Sequence, residues 1–328
     1  MQSNADFAMS FSRKANAFVR RSPARMAVII AVLLYAFTVM MVPTALNMRA
    51  VSSIVMLTLL LSFASAGQTI VLIGGGLDFS VGAVMSSAAI LTTGIMNSQD
   101  GMFIHTFIAV IIMGASVGLL NGVCTTKIGL PPLIVTMVIS NVVTRLQYVF
   151  TQGSPLGYAG PSFIRSVISR IFGVVPSLTL YALVIFPLVF YILNRSRFGR
   201  QLYLVGNNAE AARLGGIDVN RVKILSYVIS AMFSGFAGML GVGYMHSAQC
   251  QMFDGYAFNS LIAVIVGGTA FTGGVGSYTG SIAGSLLMVV LTNMLTALNL
   301  AQPVRNIVLG CVMVLLLVMY NRKKPVRQ

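Results

Sequence analysis

Residues 195–223 read RSRFGRQLYLVGNNAEAARLGGIDVNRVK. This stretch holds six of the 21 Lys and Arg in a 328-residue chain: Arg195, Arg197, Arg200, Arg213, Arg221 and Lys223. Apolar runs of membrane-spanning length flank it on both sides. Basic clusters beside membrane spans stay on the cytoplasmic face of a bilayer. The stretch is therefore expected inside the cell, and the topology follows by counting spans outward from it.

Two further clusters obey the same rule. Arg13, Lys14, Arg20, Arg21 and Arg25 precede the first apolar run, and Arg322, Lys323, Lys324 and Arg327 close the chain. Between the clusters the pattern predicts ten spans, at about 26–46, 51–73, 80–96, 102–124, 131–150, 178–193, 224–244, 258–270, 277–298 and 304–320. With both ends inside, 16 basic residues face the cytoplasm, Lys127 among them; Arg49, Arg145, Arg165, Arg170 and Arg305 lie at outer ends. One span more or fewer would put a cluster on the wrong face. The expected fold is a single all-α, polytopic membrane protein of about ten transmembrane helices, some broken at Gly-rich points, with both termini cytoplasmic. Its parts are a basic segment 1–25, a transmembrane domain 26–320 containing the cytoplasmic loop 194–223, and a basic tail 321–328. An outer loop at 152–176 is expected to hold a short interfacial helix carrying Arg165 and Arg170, and a second outer loop covers 246–256.

Composition agrees. Hydrophobic residues are 57% of the chain and charged residues 8%, against about 25% charged in a soluble domain. Each span needs ~20 apolar residues. The net charge of +15 sits at loops and termini, where topology and anionic lipid headgroups account for it; nucleic acid would need a charged, solvated face. Cys124, Cys250 and Cys311 have no metal or redox spacing, and His105 and His246 form no ligand pair, so neither metal nor cofactor is expected. The basic-then-apolar N-terminus resembles a signal peptide, but its apolar run is long enough to span and is read as a retained helix. Trp is absent, leaving Tyr148, Tyr191, Tyr244 and Tyr320 for the interfacial belt.

Several features bear on function. Ile73-Gly74-Gly75 with Phe79-Ser80-Val81-Gly82 resembles Val266-Gly267-Gly268 with Phe271-Thr272-Gly273-Gly274. Paired, glycine-interrupted spans in two halves of a membrane protein point to discontinuous helices beside a solute path; two tight turns between ordinary helices would look the same. Asp78 is the lone charge between residues 51 and 99. It is a path residue, the cap of the helix that follows, or both, since a cap at a helix break also shapes a cavity. Gly75, Gly76, Asp78, Ser80, Gly267 and Gly268 form the candidate break, with Asn121 and Asn259, and less directly Asn141 and Asn293, as candidate polar groups along the path. Gly114, Gly118 and Gly122, like Gly276, Gly280 and Gly284, recur every four residues, a ridge for close helix packing.

Within the opening stretch, residues 207–216 read as a short helix: Asn at its start, Glu210 in the first turn, Arg213 in the last, glycine at its end. So short a helix is not stable alone. It must dock, either on neighbouring helix ends of its own chain or on a cytoplasmic partner. No Lys follows a Gly, which excludes a phosphate-binding Gly-Lys-Ser/Thr loop. The six acidic residues leave little for a proton or sodium relay. Energy for uphill transport would therefore come from another subunit.

Taken together, residues 74–82, Leu120-Asn121-Gly122, residues 131–136, Arg197-Phe198-Gly199-Arg200, residues 206–217, Ser247-Ala248-Gln249, Gly267-Gly268-Thr269 and residues 273–277 resemble the permease subunits of bacterial ABC importers of the ribose and simple-sugar type, a branched-chain-type permease family. The resemblance runs from about residue 51 to the end. It implies two permease chains (identical or related), two cytoplasmic ATP-binding subunits and a periplasmic solute-binding protein in an inner membrane whose lipids are further partners, with ATP hydrolysis on the separate subunits. It also implies that residues 207–217 are a coupling helix seated on the ATPase through Asn207, Asn208, Glu210, Ala211, Arg213, Leu214 and Gly215, and that the outer loops meet the binding protein. Cys250 stands where the family usually has proline and Asn259 where an acidic residue is common, so the solute is open. The alternatives are a secondary transporter or facilitator acting alone and a non-transporting membrane scaffold.

Overall fold

A computed structural model describes residues 23–171, 173 and 175–321. Arg13, Lys14, Arg20, Arg21, Arg322, Lys323, Lys324 and Arg327 lie outside the described residues. The helices are α1 (Pro23–Met41), α2 (Met48–Ile73), α3 (Val81–Met96), α4 (Phe103–Thr126), α5 (Pro132–Thr151), α6 (Pro161–Ile168), α7 (Leu178–Asn194), α8 (Arg197–Asn207), α9 (Ala209–Leu214), α10 (Val219–Met245), α11 (Gly255–Val266), α12 (Tyr278–Ala297) and α13 (Gln302–Asn321). A two-residue antiparallel pair, β1 (Arg170–Ile171) and β2 (Val175–Pro176), precedes α7.

α2 and α10 form the centre. The most apolar window of α2 is 83% buried and that of α10 67%, against 17% for α1 and 28% for α4 and α5. α3 and α4 pack on α10, α11 and α12 on α2, and α1 on α12. Outer helices turn large apolar side chains outward, such as Leu33, Ile112 and Val149. In water such surface would be costly; against lipid tails it is not, and close packing with polar contacts holds the helices together instead. The interior is accordingly rich in hydroxyls. Thr69 Oγ1 lies 2.6 Å from Ser281 Oγ, and Ser285 Oγ donates to Ser65 Oγ at 3.2 Å, tying α2 to α12.

The glycine ridges do the same by backbone approach. A Cβ on Gly118 would stand 2.5 Å from Tyr227 O, and one on Gly114 2.7 Å from Ala231 O, so α4 lies directly on α10. Gly280 and Gly284 face the carbonyls of Gly267 and Ala263 in the same way, seating α12 on α11. Gly118→Leu is expected to lower stability by about 2 kcal/mol through overpacking, read as a lower midpoint of thermal unfolding in detergent. Unchanged stability would show that the α4–α10 contact is looser than it stands here.

Six helices among the described residues are long and apolar enough to cross a membrane, seven if α7 and α8, bent by 60°, count as one span. α3 and α11 are shorter, about 24 and 18 Å at 1.5 Å per residue, against a hydrocarbon core of about 30 Å. Each adjoins a glycine break.

Four boundaries differ from the sequence expectation. α11 starts at Gly255 and stops at Val266, because Gly267-Gly268 end it before residue 270. The polar stretch 194–223 is mostly helical: Ser196 caps α8 by accepting the Gly199 N–H at 2.9 Å, and Asp218 caps α10 by accepting the Arg221 N–H at 3.0 Å, so α10 starts at Val219. α1 ends at Met41, and a single 3-10 turn at Pro43–Ala45 follows. Arg165 lies on α6, but Arg170 falls in β1.

Candidate functional site

The two glycine breaks are built alike. α2 ends on Gly74, and Gly75 follows at φ +77°. The Gly75 N–H donates to Leu72 O and the Gly76 N–H to Val71 O, both at 3.0 Å. α11 ends on Gly267, and Gly268 follows at φ +97°. There the Gly268 N–H donates to Ile265 O at 2.9 Å and the Thr269 N–H to Val264 O at 3.1 Å. α9 closes identically, with Gly216 at φ +80° and 3.0 Å bonds from Gly216 N–H to Arg213 O and Ile217 N–H to Ala212 O. This is the Schellman ending, in which one left-handed residue lets two late N–H groups reach back to carbonyls of the last turn. Glycine takes that conformation without steric cost.

A polar knot holds the first break. Asp78 is 1% exposed. Its Oδ1 accepts the Ser80 N–H at 2.9 Å and the Ser80 hydroxyl at 2.6 Å, and its Oδ2 accepts the Ser230 hydroxyl of α10 at 2.9 Å. Asn121 Nδ2 of α4 donates to Ser80 Oγ at 2.8 Å. Phe79 N–H donates to Thr136 Oγ1 of α5 at 3.1 Å, and the Tyr227 hydroxyl to Leu77 O at 3.4 Å. The segment between α2 and α3 is thus fastened to α4, α5 and α10. Asp78 accepts the N–H of the residue preceding α3 rather than one from its first turn. That is an Asx-type turn, placed where negative charge suits the helix dipole.

The second break meets the first through α8. Gly274 N–H donates to Ile73 O at 2.9 Å, and Tyr203 of α8 donates its hydroxyl to Gly276 O at 2.9 Å. Gly206, in the last turn of α8, fits between them. A Cβ there would overlap the Ile73 carbonyl oxygen and stand 2.6 Å from Gly274 N. A Cβ on Gly273 would stand 2.9 Å from Gly75 Cα and 3.0 Å from Gly206 O, and one on Gly274 2.8 Å from Asn207 Cα. Three backbones therefore touch where both breaks and the end of α8 converge.

α9 follows at once. Asn208 Oδ1 accepts the Glu210 and Ala211 N–H groups, both at 3.0 Å. Ala212 is buried with Leu202, Val205, Val219 and Val222, so the apolar side of α9 docks on α8 and α10. Asn207, Asn208, Glu210, Ala211, Arg213, Leu214 and Gly215 all stand exposed, Leu214 at 84%. Glu210 and Arg213 pair across one turn at 3.5 Å, both mostly exposed. An exposed apolar side chain and a charge pair thus stand on the outer face of a helix anchored from behind.

Of the candidate path residues, Asp78, Ser80 and Asn121 come together in one network, and Gly75 and Gly76 adjoin it. Gly267 and Gly268 lie at the second break, where Gly268 packs on Pro23. Asn259 stands part-exposed on α11, outside this network, and Asn141 and Asn293 bond carbonyls of their own helices. Ser230 and Tyr227 carry no local signal in the sequence; Thr136 and Gly206 lie within the quoted stretches 131–136 and 206–217, which do not show what either residue touches. Among the described residues no group of His, Cys, Asp and Glu could hold a metal ion.

Residues 50–317 match the model of a family described as branched-chain amino acid transport system / permease component. The ribose import permease protein RbsC of Escherichia coli K12 is 31% identical over 267 residues, 79% of this chain and 82% of RbsC. The L-arabinose transport system permease protein AraH of the same organism is 30% identical over 283 residues, 86% of this chain and 84% of AraH. A probable ABC transporter permease protein, y4mJ of Sinorhizobium fredii, is 30% identical over 252 residues, 77% of this chain and 75% of its own length. No solved structure gives a significant match. A match over most of the chain, together with an all-helical fold rich in apolar spans, shows that this protein belongs to the branched-chain-type permease family of ABC transporters.

Proposed function

We propose that the chain is the membrane-spanning permease of an ATP-driven sugar importer and that α9 is its coupling helix. Relatives named for ribose import and L-arabinose transport support a sugar as the solute. The observation that carries the reading is the double character of the 206–215 segment: its outer face is exposed, while Gly206 and Asn207 are wedged against both helix breaks. Motion of a cytoplasmic ATPase pressing on α9 would reach Ile73 and Gly274 through backbone contacts, with no flexible side chain between.

In this reading ten spans cross the inner membrane: α1, α2, α3, α4, α5, α7, α10, α11, α12 and α13, with α8, α9 and both termini on the cytoplasmic side. Two such chains enclose the path, two ATP-binding subunits sit beneath them, and a periplasmic binding protein delivers the sugar to the opposite end. ATP closes the ATPase pair, the coupling helices move, and the breaks after α2 and α11 shift the short helices α3 and α11. Asp78, Ser80 and Asn121 hold the break in register rather than touching the sugar, since all three are buried within one chain.

The test replaces Glu210 and Arg213 together by Ala. Both side chains are mostly exposed, so the fold should survive, and the pair itself contributes little. The expected result is loss of ATPase co-purification and a fall in ATP-driven uptake of at least about tenfold, the effect of removing ~1.4 kcal/mol of interface energy. Normal assembly with normal uptake would sink the coupling-helix assignment.

A further inference from the structure

At the bundle end opposite α8 and α9, a cavity of about 750 Å³ lies beneath α6, between α4, α7 and α10. Its position is fixed by α10, which meets α9 near its first residue and α6 near Gly243. The cavity is two-layered. Arg165 of α6 and Ser177, just before α7, form a polar rim; Phe107, Leu180, Val184 and Phe236 form an apolar wall below. Leu180 and Val184 are 53% and 67% exposed, so the wall opens sideways on the flank of the bundle.

Two groups on the rim are underused. The Ser177 hydroxyl is buried, the residue being 6% exposed, and it makes no hydrogen bond. A buried hydroxyl without a partner is costly, and this one borders the cavity. The Arg165 guanidinium makes one 3.2 Å bond, to Ser162 Oγ in its own turn. The Asp100 carboxylate, which feels the Arg165 charge, accepts the Ser162 N–H at 2.7 Å.

We propose that this cavity holds an anionic phospholipid of the adjacent leaflet. The phosphate lies against Arg165, a glycerol-ester oxygen accepts the Ser177 hydroxyl, and one acyl chain runs down the groove past Leu180 and Val184. The order of groups decides for a lipid. A water-soluble solute has no use for a wall that opens to hydrocarbon, and a polar rim above an apolar wall repeats the headgroup-to-tail order of the bilayer. A guanidinium above an apolar groove suits a phosphate joined to an acyl chain, because the charged group is paired while the chain stays out of water.

The test uses the full chain in mild detergent and native mass spectrometry with added dioleoylphosphatidylglycerol, dioleoylphosphatidylcholine or inorganic phosphate. Wild type should bind the phosphatidylglycerol about tenfold more tightly than the phosphatidylcholine, whose choline ammonium neutralises the phosphate that Arg165 pairs with. Arg165→Gln should erase that preference, Ser177→Ala should weaken both lipids about threefold, and Val184→Trp, which fills the groove, should weaken both more. Arg165 and Val184 are exposed, so these two variants should fold. Retained preference in Arg165→Gln, or unchanged binding in Val184→Trp, would overturn the proposal. Displacement of the lipid by millimolar phosphate would also overturn it, by showing a free-anion site.

Discussion

Gly206→Ala is expected to abolish ATP-driven uptake although it adds a single methyl group. The methyl would overlap the Ile73 carbonyl oxygen and press on Gly274 N, the two partners of the 2.9 Å bond that joins the breaks. Neither atom is the end of a flexible side chain, so the strain cannot be relieved by a rotamer change. Either the bond between Gly274 and Ile73 breaks or α8 lifts away from both. Overpacking of this kind costs about 3 kcal/mol, and a displaced α8 carries α9 with it. Uptake should fall by about tenfold for each 1.4 kcal/mol that the displacement removes from the coupled step. The exposed face of α9 is untouched, so the ATPase should still co-purify. Hydrolysis would then run without transport. Gly310→Ala on α13, where nothing lies within 4 Å of the added methyl, is the control and should behave as wild type. Normal uptake by Gly206→Ala would show that force does not pass through this contact.

Much of this arrangement was legible because it depends on local chemistry. Asn208 and Gly215 bracket α9 as the capping rules require. The four-residue glycine spacing on α4 announced a close partner, and each glycine pair announced a helix end. α8 was not legible: Arg197, Arg200 and Gln201 make its sequence look like a loop, although Phe198, Leu202 and Val205 recur at helical spacing behind Ser196. Arg170 went to a strand because α6 ends at Ile168. What no local rule could show is which element each ridge or break would meet. Gly206 touches residues 133 positions before it and 68 after it in sequence (206 less 73; 274 less 206), and Ser230 reaches Asp78 across 152 positions. Such pairings belong to the packed bundle.

The Asp78 network supports the second large prediction. Every group around the carboxylate is a donor: the Ser80 N–H, the Ser80 hydroxyl and the Ser230 hydroxyl. In Asp78→Ala the Ser230 hydroxyl can turn to the Ser226 carbonyl one helical turn back, as Ser86 and Ser234 already do on their own helices, whereas the Ser80 hydroxyl stands ahead of α3 with no helical turn behind it. The Ser80 N–H has no such escape and stays buried without a partner. That loss, with the loss of negative charge at the start of α3, should cost about 3 kcal/mol. Asp78→Asn keeps an oxygen for Ser80 and can donate its amide to the Ser230 oxygen, so the cost should fall to about 1 kcal/mol. If the residue only fastens the break, stability and uptake should decline together: Ala severely, Asn mildly. Measuring thermal unfolding and uptake on the same preparations separates this from a direct role in transport. An Asn variant that is as stable as wild type yet fails to transport would mean that the negative charge itself acts in the transport cycle, and the fastening role would be wrong.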